Sequence, residues 1–181
     1  MMLRKRNGIY AATVLEAGGS TRAGQARVSI PALRKEVWAR VATLTAGDHR
    51  GSWFPPETGD EVLVAFDGGD VRRPFVVGSF WGKSTPPESS PDRKVLRTRH
   101  GATIVLDDAA RKIEVKDDNG NEIELTTSGL RVTAATQVKV TASTVELETP
   151  VARFAGVVQC ETLMATSVVA SSYTPGAGNV L

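Results

Sequence analysis

Pro55-Pro56-Glu57-Thr58-Gly59-Asp60-Glu61-Val62-Leu63-Val64-Ala65-Phe66 decides the fold of the first half of the chain. Two prolines and a Gly-Asp turn precede residues 62–66, a short apolar run typical of a buried β-strand. Comparable short runs lie at 9–15, 26–30, 37–44 and 74–80, separated by breaks rich in glycine or proline. Five short strands without an equally strong helical period predict a small closed β-barrel.

The aromatic residues divide the chain into two parts. Eight of the ten precede residue 82, and only Phe154 and Tyr173 follow it. We therefore expect the first part to build a compact core around large side chains. Pro86-Pro87 and Pro91 interrupt the chain between the two parts. The sequence predicts a barrel domain at 1–83, a linker or neck at 84–95, an elongated part at 96–173 and a C-terminal end at 174–181.

Short apolar pairs recur through the second part. The members of each pair stand two positions apart, with Glu, Lys, Asp, Thr and Ser between successive pairs. Burying one Val or Ile contributes roughly 1.5–3 kcal/mol, whereas ordering each residue's backbone costs about 1–2 kcal/mol, so such strands lack a core of their own. We expect three copies to wind around one axis with the pairs pointing inward. The predicted core residues of this needle are Ile104, Leu106, Ile113, Val115, Ile123, Leu125, Leu130, Val132, Val138, Val140, Val145 and Leu147.

A set of residues with fixed spacings extends across the first part. These residues are Trp38, Arg40, Gly59, Asp60, Gly69, Asp70, Pro74, Gly78 and Trp81. Their succession closely resembles the OB-fold domain of phage baseplate spike proteins (baseplate assembly protein V) and of the valine-glycine repeat spike proteins of type VI secretion. The second part resembles the family's triple-stranded β-helix. The resemblance implies an all-β protein, with an N-terminal OB-fold barrel followed by a trimeric intertwined β-helix.

The resemblance also implies a structural function without a cofactor. It predicts the central spike of a contractile injection machine, which is a phage tail, a tailocin or a related particle assembled in the cytoplasm. A homotrimer would close the tube end at the baseplate tip, contact a hub protein and the tail tube at its N-terminal end, and touch the target envelope transiently as it pierces it. The C-terminal end resembles a platform for a small conical tip protein. The tip-docking residues would be Tyr173, Pro175, Gly176, Asn179, Val180 and Leu181.

The residues show no arrangement typical of catalysis, so we expect neither an enzyme nor a metal site. His49 lies in a glycine-flanked loop and His100 precedes Gly101, which predicts two solvated side chains. Residues 117–121 lack the spacing to a terminal Glu that a calcium loop needs, and they predict a β-turn. Cys160 stands among apolar residues, which favours a buried structural thiol.

Other classes of function remain as alternatives. An OB-fold nucleic-acid-binding module would use Trp38 and Trp53 to stack on bases, and Arg72 and Arg73 to meet phosphates. The net charge of +2 and the acidic residues in the same region disfavour stable nucleic-acid binding. A trimeric receptor-binding fibre would share the needle, but it needs a C-terminal recognition head and leaves the barrel motif unexplained. An ordinary β-sandwich would want hairpin turns and larger core residues.

Overall fold

The computed structural model describes residues 6–172, and within them the chain is all-β. It divides into two units, 1–136 and 137–181, and the first unit holds every strand of the described residues. Helical structure in 6–172 is limited to three short 3-10 turns. Among these residues no helix has the length and apolar character that would let it cross a membrane.

The predicted barrel is present and closed. Its strands follow the order β1-β2-β3-β7-β6 around the barrel, and every neighbouring pair is antiparallel except β3 and β7. The five strands match the five runs expected from the sequence, with differences only at their ends. A small hairpin, β4–β5, lies in the connection between β3 and β6. The bounds are β1 (Tyr10–Ala17), β2 (Gln25–Ile30), β3 (Lys35–Val41), β4 (Ala46–Gly47), β5 (Arg50–Gly51), β6 (Glu61–Phe66) and β7 (Pro74–Ser79).

The barrel core consists mainly of small aliphatic side chains, so the expected core of large aromatic side chains is wrong. Phe66 is the one aromatic residue in the buried cluster of the described barrel, whereas Trp53 and Trp81 are 62% and 65% exposed. Five strands enclose a narrow interior, which alternating Val, Ala and Ile side chains fill. The buried cluster is Ala12, Val14, Ala26, Val28, Ile30, Ala39, Val62, Val64, Phe66 and Val76.

The Gly-Asp pairs of the motif form the turns of the barrel. Gly59 and Gly69 both adopt positive φ, of 97° and 76°, which a side chain would disfavour. The Asp60 carboxylate accepts the Glu57 backbone N–H at 2.7 Å, and partial burial raises its pKa. The Asp70 carboxylate accepts hydrogen bonds from the Arg72 guanidinium and from the Arg72 backbone N–H, which together lower its pKa to about 2.

Residues 93–133 form a five-stranded antiparallel sheet, called the meander below. Its strands pair in sequence order and are β8 (Arg93–Arg97), β9 (Thr103–Asp107), β10 (Lys112–Lys116), β11 (Glu122–Thr126) and β12 (Gly129–Thr133). The first strand begins inside the predicted linker 84–95, because Arg93, Lys94 and Val95 already pair with β9.

The meander pairs with itself through hairpins, which differs from the predicted intertwining of this segment. In an intertwined helix each strand takes its neighbours from other copies, whereas β8 to β12 take theirs from the same chain. The connections are short enough for this arrangement. In residues 117–121, the Asp117 carboxylate accepts the backbone N–H groups of Asn119 and Asn121, both at 2.9 Å, and Gly120 has a φ of 88°. The predicted β-turn at this position is therefore present.

Residues 137–172 contain no strand, although alternating apolar residues continue through them. Val138, Val140, Val145 and Leu147 are each more than 60% exposed. Cys160 is exposed as well, so the expected buried thiol is not found in the single chain. The described part of this unit has no sheet that could cover these side chains, so they stay exposed in the single chain.

Candidate functional site

One face of the meander consists of two straight rows of aligned side chains. Residues paired directly across antiparallel strands point to the same face, so the strand register defines each row. The first row is Leu96, Ile104, Val115, Ile123 and Val132, and the second is Lys94, Leu106, Ile113, Leu125 and Leu130. Nine of these ten residues are apolar, and they form what is called the apolar face below.

The apolar face is uncovered in the single chain. Its nine apolar residues belong to paired strands, yet their exposed fractions lie between 39% and 66%. Val105, on the other face, is the meander's one buried hydrophobic residue. A contiguous exposed apolar surface of this kind marks a protein interface.

The opposite face carries its own counter-ions. Glu114 is only 6% exposed and lies between Lys112 and Lys116 on the same strand. Lys116 also reaches Glu122 at 3.2 Å, and Lys112 reaches Glu124 at 3.4 Å. Hydrogen bonds from Lys112 and then Lys116 lower the pKa of Glu114, and Glu114 in turn raises the pKa of both lysines. Glu114, Glu122 and Glu124 of this face are therefore paired with lysines of the same chain.

Three carboxylates of this charged face approach one another closely enough to suggest a cation site. Glu114, Glu122 and Glu124 have oxygens within 4.8 Å of one another. The ammonium groups of Lys112 and Lys116 already lie among them, together with the more distant Arg131. These carboxylates are partners of an ion-pair network, and they do not form a candidate metal site.

Covering the apolar face would release a large free energy. Completing the burial of a half-exposed Leu, Ile or Val contributes about 1 kcal/mol, which is on the order of 10 kcal/mol for the nine side chains of one chain. Aligned rows of Leu, Ile and Val on one face of a sheet suit a second sheet of the same kind. The arrangement therefore favours association of identical copies through this face.

Comparison with known protein families gives two consecutive matches. Residues 10–81 match the type VI secretion system/phage-baseplate injector OB domain, and residues 94–150 match the phage baseplate V C-terminal trimerisation domain. The two matches follow the order of barrel and meander and together cover more than two thirds of the chain. The chain belongs to the phage baseplate V family. In this baseplate V chain, all ten positions of the apolar face lie within the segment that matches the trimerisation domain.

Relatives among curated proteins agree with this assignment. The chain is 31% identical to the spike protein of Escherichia phage P2 over 147 residues, which are 80% of this chain and 65% of that protein. It is 39% identical over 69 residues to the type VI secretion system spike protein VgrG3 of Vibrio cholerae, and 30% identical over 99 residues to VgrG2a of Pseudomonas aeruginosa. Those stretches are 36% and 54% of this chain, but only 7% and 10% of the two VgrG proteins.

The residues predicted from the sequence fall into separate groups in this baseplate V chain. Most motif residues lie in barrel turns or on its outer surface, where Trp38 is half-buried and Arg40 is exposed, whereas Pro74 is buried at the start of β7. The first eight predicted needle-core residues lie together on the apolar face, and the last four lie in the second unit. His49 and His100 are exposed, as expected. The predicted tip-docking residues, Tyr173, Pro175, Gly176, Asn179, Val180 and Leu181, lie outside the described residues.

Two members of the apolar face were missed by the sequence pattern. Lys94 and Leu96 belong to β8, which begins inside the predicted linker 84–95 and ends in the predicted needle. The residue two positions before Leu96 is Lys94, so Leu96 is not part of an apolar pair in the sequence. The Lys94 ammonium group pairs with Asp108 at the end of its row, which gives this lysine a counter-ion beside the apolar residues.

Proposed function

We propose that this chain is a structural central spike of a contractile injection particle. The uncovered apolar face carries the proposal, because it needs partners and lies in the segment that matches a trimerisation domain. The relatives described above are spike proteins of a phage and of type VI secretion systems. A nucleic-acid-binding function is not favoured, since neither comparison points to one.

Three meanders packed through their apolar faces would form a three-walled shaft. Each wall is one sheet, and five strands stacked at about 4.8 Å make a wall on the order of 20 Å long. The charged faces would point outward, where their ion pairs meet solvent. The eight predicted needle-core residues of the meander would then line one axis.

The proposed role is mechanical and needs no catalytic residue. The barrels would close the tube end at the baseplate and contact a hub protein, while the needle transmits axial force into the target envelope. The C-terminal residues 174–181 would dock a small tip protein. The chain spans less than two thirds of the length of the curated relatives described above, so its contacts with other particle proteins are proposals.

Purified particles test the proposal directly. We expect an antibody against a tag at the N-terminus of the chain to label one end of contractile particles from the producing cell, after mild opening of the baseplate. An untagged strain is the control. Labelling along the whole tube, or a chain that never co-purifies with sheath and tube, would refute the proposed location. Loss of one small protein from particles that lack residues 174–181 would identify the tip partner.

A further inference from the structure

A concavity of about 480 Å³ lies on the outer surface of the barrel, apart from the apolar face of the meander. Its walls come from β3, from the starts of β2 and β7 and from the turns that precede β2 and β7. Four arginines and two aromatic rings dominate the lining: Arg22, Arg40, Arg72, Arg73, Trp38 and Phe75. It is called the arginine groove below.

Two of the four arginines are already neutralised by carboxylates of the barrel. Arg72 forms a two-pronged ion pair with Asp70, with Nη2 2.8 Å from Oδ2 and Nε 3.0 Å from Oδ1. Arg73 Nη1 lies 2.8 Å from Asp67 Oδ2. These pairs fix the rim of the groove and leave its net charge to the remaining two arginines.

The other two arginines lie over aromatic rings. The guanidinium carbon of Arg22 is 4.7 Å from the centre of the Trp38 ring, and that of Arg40 is 5.8 Å from the centre of the Phe75 ring. Within residues 6–172, neither arginine forms a salt bridge. Contact with a ring face orients a guanidinium and leaves its edge N–H groups available, and that edge matches a carboxylate in a two-pronged contact.

The strand register sets the spacing of Trp38 and Arg40 along β3. Arg40 pairs with Gln25 on β2 and with Phe75 on β7, so its side chain shares the outer face with both. Trp38, whose ring lies under the Arg22 guanidinium, precedes Arg40 by two residues on β3, so the two residues are about 7 Å apart along the strand. An extended polypeptide repeats its side chains on one face at this same interval.

We propose that the arginine groove binds an extended segment of a partner protein that carries carboxylates at alternate positions. Each carboxylate would meet one stacked guanidinium, and the side chains between the carboxylates would point away from the groove. The proposal goes beyond the structural spike function, because it identifies a contact surface on the barrel and the chemistry of the segment that fits it.

A protein segment suits this groove better than a nucleic acid. A single strand presents a phosphate at every nucleotide, whereas the groove offers two available positive charges and also contains the carboxylate of Asp67. Glu16 and Glu36 lie nearby, each within 3.3 Å of Arg27, which is paired with Trp38 across β2 and β3. A peptide places charge only where the guanidinium groups are.

The test uses the intact chain and a fluorescein-labelled peptide of alternating Glu and Thr, with alternating Gln and Thr as the uncharged peptide control. We expect the Glu peptide to raise the fluorescence anisotropy in a salt-dependent titration. The double variant Arg22→Gln/Arg40→Gln should weaken this binding by about tenfold or more, since two charge-assisted contacts are removed. Arg50→Gln, at an exposed arginine of the β4–β5 hairpin, is the matched control and should bind normally.

Three results would overturn the proposal. They are absence of binding, equal affinity of the double variant and the parent chain, and tighter binding of a labelled oligothymidylate that the same double variant abolishes. The last result would assign the groove to nucleic acid. All of these outcomes leave the oligomeric state untouched, so failure of the groove is distinguishable from failure of the spike proposal.

Discussion

Leu125→Asp is expected to abolish the trimer completely. Leu125 lies in the middle of the apolar face, paired with Ile113 on one side and Leu130 on the other. If three copies pack through this face, the substitution brings three carboxylates into one dry interior. A single unpaired charge there costs several kcal/mol. Light scattering coupled to size exclusion should show monomers or aggregates in place of the trimer.

The control for this substitution introduces the same residue on the opposite face. Arg97 is exposed and lies on the charged face of β8, so Arg97→Asp should leave the trimer intact. Glu124 is a poor control despite its position next to Leu125, because it lies near Lys112 and Arg131 in the ion-pair network. A trimeric Leu125→Asp variant, or equal loss of the trimer in both variants, would contradict the assignment of the apolar face.

A chain cut to residues 1–92 is expected to lose the trimer while keeping the barrel. The barrel closes on itself around ten buried residues, and these all lie before residue 77. The meander has no core of its own, so its removal leaves the barrel core intact and removes the surface that associates. The fragment should therefore unfold cooperatively in a thermal melt and run as a monomer.

The matched fragment is residues 1–136, which retains the whole apolar face. It should still form trimers, at a lower unfolding temperature than the full chain, because it lacks the apolar residues of 137–172. A trimeric 1–92 fragment would place the association in the barrel. A monomeric 1–136 fragment would place it in the second unit, and either result would contradict the role given to the meander.

Alternation along the chain was sufficient to predict the barrel and the apolar pairs. A period of two is a local property, so the runs around Val62 and Val28 identify strands without reference to the rest of the molecule. Ile104 to Val132 share a face for the same reason. The resemblance supplied the order of the two domains, and the family matches confirm it.

The features that the sequence did not predict depend on contacts between distant residues. Whether Trp53 and Trp81 fill a core depends on the width of the closed barrel, and a single run does not reveal that width. Whether β9 to β12 pair with their own chain or with other copies depends on the turns, which residues 117–121 close as a hairpin. Glu114 is buried because Lys112 and Lys116 contact its carboxylate. The alternation of the sequence predicts only a polar residue at this position.

The mass of the intact chain in solution tests the central claim most directly, since an uncovered apolar face requires partners. At low micromolar concentration, light scattering should give three times the chain mass of 19.3 kDa, with no dependence on further dilution over a tenfold range. A stable, folded monomer of 19.3 kDa would contradict the trimer, and the proposed spike function with it.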